Sequence, residues 1–264
     1  MNSRIKEKLQ KYNEAFTYFI RPSTFPLAIK MMSTLDIPDK KIRRPKKHLN
    51  MNLFLCQAIG ISRRQGWSIL LGKEDISCPT ALFYLGFAKP PSSYWKGKVV
   101  FAPFNQTEKA RARRSKSLPF FNLNRYKGIL ISPLFSADFE PDSILIYGNP
   151  AQMMRLVQAA VFKTGSALKF MAQGGGSCAL EVVRPILKNQ VGLVLPGNGE
   201  RMFGLIQDDE MVFIIPKKKI DEIVTFLQET HKGGQRFPIP SYGQFTPQLP
   251  PDYMRLLESV KKEK

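Results

Sequence analysis

Three cysteines, a run of glycines and a few arginines beside turns are the residues of this chain whose types and spacing could do chemistry. Cys78 precedes Pro79 and an apolar stretch, and Cys178 follows Gly174, Gly175, Gly176 and Ser177 at the head of another apolar stretch. A cysteine at a helix N-terminus feels the positive end of the helix dipole and the unpaired amides of the first turn, which favour its thiolate. Glycines let the backbone approach a ligand closely and can aim several N–H groups at an anion. The run lacks the Lys-Ser/Thr ending of a nucleotide P-loop, so that label fails, and a plain turn is the competing reading.

Cys56 lies on the helix preceding Cys78, so one site could gather Cys56, Cys78 and Cys178 from distant positions. Three soft ligands suit zinc or an iron–sulfur cluster with one position left open. Against a metal stands the absence of any C-x-x-C pair, and a free cysteine is also a common core residue. Buried structural thiols, a metal or cluster site, and nucleophilic or redox thiol chemistry all stay open at this point. Arg201 follows Gly197-Asn198-Gly199, where a guanidinium can clamp a carboxylate or phosphate with two parallel hydrogen bonds. The expectation is a pocket bordered by Gly174, Gly175, Gly176, Cys178 and Arg201 that accepts a negatively charged group. Arg21 and Arg184 are weaker candidates of the same kind. The two histidines, His48 and His231, fall in loop or helix-end settings. Glu74-Asp75 and Asp208-Asp209-Glu210 fall in turns, where solvated acids are the ordinary outcome.

The elements that must position these residues follow from apolar periodicity. Leu9, Tyr12, Phe16 and Phe19 mark an amphipathic helix over Lys6–Phe19, stopped at Pro22. Helices are also predicted over Leu53–Ile61, from Cys78 to Leu85 with Gly86 closing it, from Asn149-Pro150 to Phe162, after Cys178 with a kink or restart at Pro185, and over Ile220–Thr230. A short terminal helix follows the proline-rich segment from Gly233 to Pro251. Strands are predicted at Phe25–Met31, Trp67–Leu71, Val99–Ala102, Gly128–Ser132, Ser143–Tyr147, Ala167–Met171, Val191–Leu195 and Met211–Ile215. Asp36–His48 and Lys89–Asn124 read as irregular basic segments.

A repeat connects these elements. Leu55-Cys56-Gln57-Ala58 and Leu156-Val157-Gln158-Ala159 are each followed by a turn, a short strand and a loop ending in Ser-Cys, with the cysteine twenty and nineteen positions after the alanine. The fold expectation is α/β, with two pseudo-repeated halves, 1–124 and 125–264, forming mixed sheets packed by helices around a cleft, or one compact domain. Three cysteines are too few for a disulfide framework and no stretch nears the roughly 18 apolar residues of a membrane span, so a reduced, cytoplasmic protein is expected.

The 40 Lys+Arg against 21 Asp+Glu give a net charge of +19, a surface that attracts anions. Part of the excess sits at Lys40, Lys41, Arg43, Arg44, Lys46, Lys47 and at Lys109, Arg111, Arg113, Arg114, Lys116. Solvated basic loops are the ordinary reading and nucleic-acid contact the sharper one; neither run is interleaved with aromatics that would stack bases. The order of short motifs, Arg21-Pro22 with Phe25 to Lys30, Cys56 to Gly66, Cys78 to Gly86, and Gly199-Glu200-Arg201 through Asp209-Glu210 to Ile215-Pro216, resembles the uncharacterised ArCR family of archaea and bacteria. That resemblance covers most of the chain. It implies a shared site at the cysteines and Arg201 and implies no activity. The leading functional expectation is an anionic small molecule or cofactor bound in a cysteine-lined cleft, with thiol or metal-assisted chemistry as an extension. The alternative is a nucleic-acid or protein-binding module that uses the basic runs.

Overall fold

Leu9, Tyr12 and Phe16 form the buried stripe of the first helix, α1 (Ser3–Phe19), as their spacing requires. The computed structural model describes residues 3–37, 41–99, 104–240 and 249–262. Its strands are β1 (Leu27–Met32), β2 (Ile42–Arg43), β3 (Ser68–Gly72), β4 (Gly128–Pro133), β5 (Ser143–Gly148), β6 (Gly192–Val194) and β7 (Met211–Pro216). They make one seven-stranded sheet in the order β2-β3-β4-β1-β5-β7-β6. Only β2 and β3 run parallel, and every other neighbouring pair is antiparallel. Because β1 lies between β4 and β5, segments 1–124 and 125–264 share this sheet.

Both faces of the sheet are covered, which is why β4 and β5 are buried along their whole length. Successive residues of a strand point to opposite faces. Leu145 and Tyr147 of β5 accordingly join one core, with Ile129, Ile131 and Ile214. Ile144 and Ile146 join the other, with Phe16, Phe213 and Ile215. The first core is closed by α3 (Leu55–Gln65), α4 (Pro79–Tyr84) and a π-helix, Ala179–Val183. The second is closed by α1, α7 (Pro150–Val161) and α10 (Ile220–Lys232). The remaining helices are α2 (Pro45–Leu49), α5 (Ser92–Trp95), α6 (Glu108–Ser117), α8 (Arg184–Lys188), α9 (Asn198–Phe203) and α11 (Pro251–Lys262).

Four expectations are corrected. The segment Asp36–His48 is not a plain loop, since it contains β2 and α2; Lys40 lies outside the described residues. The stretch Lys89–Asn124 contains α5 and α6. Helix α6 forms despite its run of like charges because Thr107 caps it, accepting from Ala110 N–H, while Glu108 opens and Arg114 and Lys116 close it in the sense the dipole favours. The strand expected at Val99–Ala102 falls on residues outside the description, apart from Val99, which is in no strand. Ala167–Met171 pairs with no strand and is largely exposed. The second copy of the supposed repeat therefore lacks its strand, and α3 and α7 cover opposite faces of the sheet. Pro185 does restart the chain helically, as expected: the π-helix hands over to α8 at Arg184.

Candidate functional site

Helix starts bring the cysteines together. Cys56 lies in the first turn of α3, Cys78 caps α4, and Cys178 precedes the π-helix, all on one face of the sheet. Cys78 is close enough to act electrostatically on both Cys56 and Cys178, and Cys56 on Cys178. Cys56 Sγ faces the carbonyl of Gly199 at 3.9 Å and Cys78 Sγ faces Thr80 Oγ1 at 3.2 Å. Among the described residues no group of three or more His, Cys, Asp or Glu side chains is placed so that it could hold a metal ion. For two of the cysteines burial outweighs the helix dipole. Burial, followed by the charge of Glu200, pushes the thiols of Cys56 and Cys178 well up.

The acids responsible were not singled out from the sequence. Glu181 stands in the middle of the π-helix, fully buried, and accepts a hydrogen bond from the Tyr147 hydroxyl at 2.9 Å. Glu200 stands in the first turn of α9, where Gly197 N–H donates to Glu200 Oε2 at 2.9 Å and to Ser177 Oγ at 2.7 Å. The Oε1 atoms of Glu181 and Glu200 are buried without a protein donor. The two carboxyls lie close enough for the charge of Glu200 to act on Glu181. Burial raises both acids. Glu181 is driven well up, with the Glu200 charge adding to the effect, and Glu200 reaches about 7 because Gly197 N–H and Ser177 hold it back.

Glu200, Cys56, Cys178 and Ser177 line a small cavity of about 120 Å³. Thr80, Gly176, Gly199 and Phe203 also border a larger pocket of about 370 Å³, whose walls are mainly Tyr84, Tyr94, Phe104, Leu118 and Met202. Helix α6 closes this pocket through Arg111 and Arg114. Arg111 is engaged with backbone, donating to Gly97 O at 2.7 Å and Asn105 O at 3.1 Å. Arg114 has no ion pair among the described residues, its Nε is buried without an acceptor, and its guanidinium carbon lies 5.3 Å from the Phe104 ring centre. A Cβ added at Gly175 would stand 2.6 Å from Arg114 Nη2, so the cation rests directly on the glycine loop. That loop holds left-handed backbone at Gly174 and Gly176, with φ of 67° and 72°, and is fastened to α9 by Asn198 N–H donating to Gly174 O at 3.0 Å.

Arg201 is elsewhere. Its guanidinium donates to the carbonyls of Gln207 and Glu210 and does not border either cavity. Gly175 and Gly176 line the pocket, while Gly174 contributes its carbonyl to the loop's anchorage. The turn acids are not all solvated, contrary to expectation. Asp75 is fully buried and accepts from Arg44 Nε at 2.9 Å and Gly72 N–H at 2.8 Å. Glu210 takes both arms of the buried Arg63, each at 2.7 Å. Arg63 in turn lies over the Tyr147 ring, 4.4 Å from its centre. The signal for Glu181 was present in the sequence as a lone acid inside Ala179-Leu180-Glu181-Val182-Val183, a pattern that asks for a buried partner.

A protein-family model described as uncharacterised ArCR matches residues 15–225. An uncharacterized protein of Methanocaldococcus jannaschii is 27% identical over 178 residues, covering 66% of this chain and 75% of the relative. No solved structure matches the chain. No helix among the described residues is long and apolar enough to cross a membrane.

Proposed function

Since the chain belongs to the uncharacterised ArCR family, we propose that this member binds an anionic small molecule with an apolar body in the pocket between α6, α9 and the glycine loop. One observation carries the reading: Arg114 stands in an aromatic-walled pocket, against the backbone of Gly175, with no carboxylate paired to it among the described residues. A guanidinium so placed supplies a two-pronged donor to a carboxylate or phosphate, and the low-dielectric walls strengthen the attraction. The apolar body of the ligand lies against Tyr84, Tyr94, Phe104 and Met202. At the inner end, the thiols of Cys56 and Cys178 and the carboxyl of Glu200, all raised by burial, meet whatever the ligand projects there. A resting thiolate nucleophile has no place in this proposal, because burial keeps Cys56 and Cys178 protonated.

The test uses 8-anilinonaphthalene-1-sulfonate, an anion with an apolar body whose fluorescence reports burial. Saturable binding at one site is expected, with displacement by octanoate and not by octanamide. Arg114→Ala should weaken it by ~1 to 3 kcal/mol, roughly 5- to 150-fold. Arg113→Ala, on the exposed side of the same helix, should leave it unchanged. Equal losses from both variants would mean diffuse attraction by the basic surface and would favour the nucleic-acid or protein-binding reading; steep weakening with salt would point the same way.

A further inference from the structure

A second concentration of positive charge lies on the opposite face of the sheet, where α7 packs on α10. Arg155 of α7 is fully closed off from solvent. Its Nη1 donates to Gln158 Oε1 at 2.6 Å and its Nη2 to Thr230 Oγ1 at 3.2 Å, while its Nε is buried without an acceptor. All of these partners are neutral. Burial alone acts on the guanidinium and lowers its pKa, with no carboxylate opposing it.

Neighbouring segments add more cationic groups. Gln158 Nε2 donates to Gln235 Oε1 at 3.1 Å, which fixes the chain beside Arg236. Gln152 Nε2 donates to Arg21 O at 2.6 Å, which fixes the left-handed turn at Arg21, φ 52°. His231 follows Thr230, with its ring 5.5 and 5.0 Å from the ring centres of Tyr18 and Phe19 and its Nδ1 buried without a partner. Desolvation, followed by the charges of Arg236, Arg155 and Arg21, holds His231 below its ordinary value. The nearest acid in sequence, Glu229, is occupied by Lys232 at 3.3 Å. A buried guanidinium surrounded by like charge is costly unless an anion compensates it.

We propose that Arg21, Arg155, His231 and Arg236 form a site for a small oxyanion of the phosphate class. Gln158 and Thr230 hold Arg155 at its base, its free Nε supplies one donor, and the exposed Arg21 and Arg236 close over the anion from outside. Guanidinium forks match the spacing of phosphate oxygens, and those of Arg21 and Arg236, from separate segments, together with the Nε of Arg155 discriminate a multiply charged oxyanion from chloride. The site is independent of the Arg114 pocket, from which the whole sheet separates it.

The chain holds two histidines, so each reports on its own surroundings in an NMR titration. Inorganic phosphate, at ionic strength matched with sodium chloride, should raise the titration midpoint of His231 in a saturable way and leave that of His48, in α2, unchanged. Glycerol 3-phosphate in a parallel arm separates the sources: tighter binding than inorganic phosphate identifies an organic monoester, and weaker binding identifies the free ion. Arg155→Met should abolish the response. Should that variant fail to fold, Arg236→Ala, a change at an exposed position, should weaken phosphate at least ~10-fold. The proposal is overturned if neither phosphate moves His231 more than chloride does, or if Arg236→Ala binds phosphate as tightly as the parent chain.

Discussion

Two buried polar clusters meet at the ring of Tyr147, and they are built in opposite ways. On one side Arg63 and Glu210 neutralise each other with two parallel hydrogen bonds, and the same two Nη groups also reach Leu205 O at 2.9 Å and Thr24 Oγ1 at 3.2 Å, leaving only Nε of the guanidinium without an acceptor. On the other side Glu181 and Glu200 are two acids with one buried oxygen each left unserved and no cation bonded to them. Burial acts on all three acids. Glu210 nevertheless ends below the ordinary carboxylate value because Arg63 and the Gln207 amide overcome desolvation, whereas Glu181 and Glu200 end above it. The lesson is that desolvation alone does not separate a structural acid from a functional one. What differs between the two sides is whether the protein supplies the partner, as Arg63 does for Glu210, or leaves an oxygen without one, as at Glu181 and Glu200.

Breaking the compensated side should have the largest effect. Glu210→Ala leaves the Arg63 guanidinium buried and unpaired and should cost ~3 to 5 kcal/mol in urea unfolding. Replacing both members, Arg63→Met with Glu210→Leu, should cost less than the single change. A loss under ~1 kcal/mol for Glu210→Ala would erase the contrast.

The next effect is a pH slope of opposite sign on the two sides. Glu210, held low when folded, contributes stability above its unfolded value, and this is lost as pH falls through the lowered folded value. Glu200, raised from 4.5 to about 7, binds its proton more tightly when folded, so its contribution is full below pH 4.5 and declines as pH rises to about 7. Glu200→Gln should flatten that decline by on the order of 3 kcal/mol. An unchanged stability profile between those limits would put Glu200 on the same footing as an exposed acid.

Smaller effects sharpen the comparison around the loop. At Gly197 an added Cβ would meet Ser177 Oγ at 2.7 Å and Gly175 Cα at 2.8 Å, whereas at Gly199 it would meet nothing within 4 Å. Gly197→Ala should cost ~1 to 3 kcal/mol and weaken anilinonaphthalene sulfonate binding, and Gly199→Ala should cost less than ~0.5 kcal/mol. The smallest change is kinetic. At pH 8 Glu200→Gln removes one of the charges that keep Cys56 and Cys178 protonated and should speed their alkylation by iodoacetamide on the order of threefold, or ~0.6 kcal/mol. Slower alkylation would contradict the assigned cause.

Most elements were legible because their apolar residues repeat at the period of the element they form. The buried stripe of α1, the capped start of α7 at Asn149-Pro150 and the inner strands β4 and β5 all follow from this rule. Helix α6 escaped it because it buries no residue, so capping was its only signal. Ala167–Met171 carried strand-like residues, but a strand also needs a free edge to pair with, which a local window does not contain. The site was legible where proximity followed from helix starts, as for the cysteines and the glycine loop. Side-chain direction was not. Arg201 and Arg114 are both arginines near a turn or loop, yet one bends back onto carbonyls of its own turn while the other crosses to a loop sixty residues away in sequence.

The π-helix gives the site a constraint of count. Its wider turn carries Glu181 to Tyr147 while Pro185 restarts the ordinary helix behind it. Removing a single residue between Cys178 and Arg184 would let the segment relax to the tighter helix and swing everything before the deletion by about 100° around the axis. Cys178 and Ser177 would leave the cavity together, and the deletion would also take away a buried residue, since Ala179–Val183 are all closed off from solvent. Substitutions here are matters of degree, but the number of residues acts as a latch, either engaged or released.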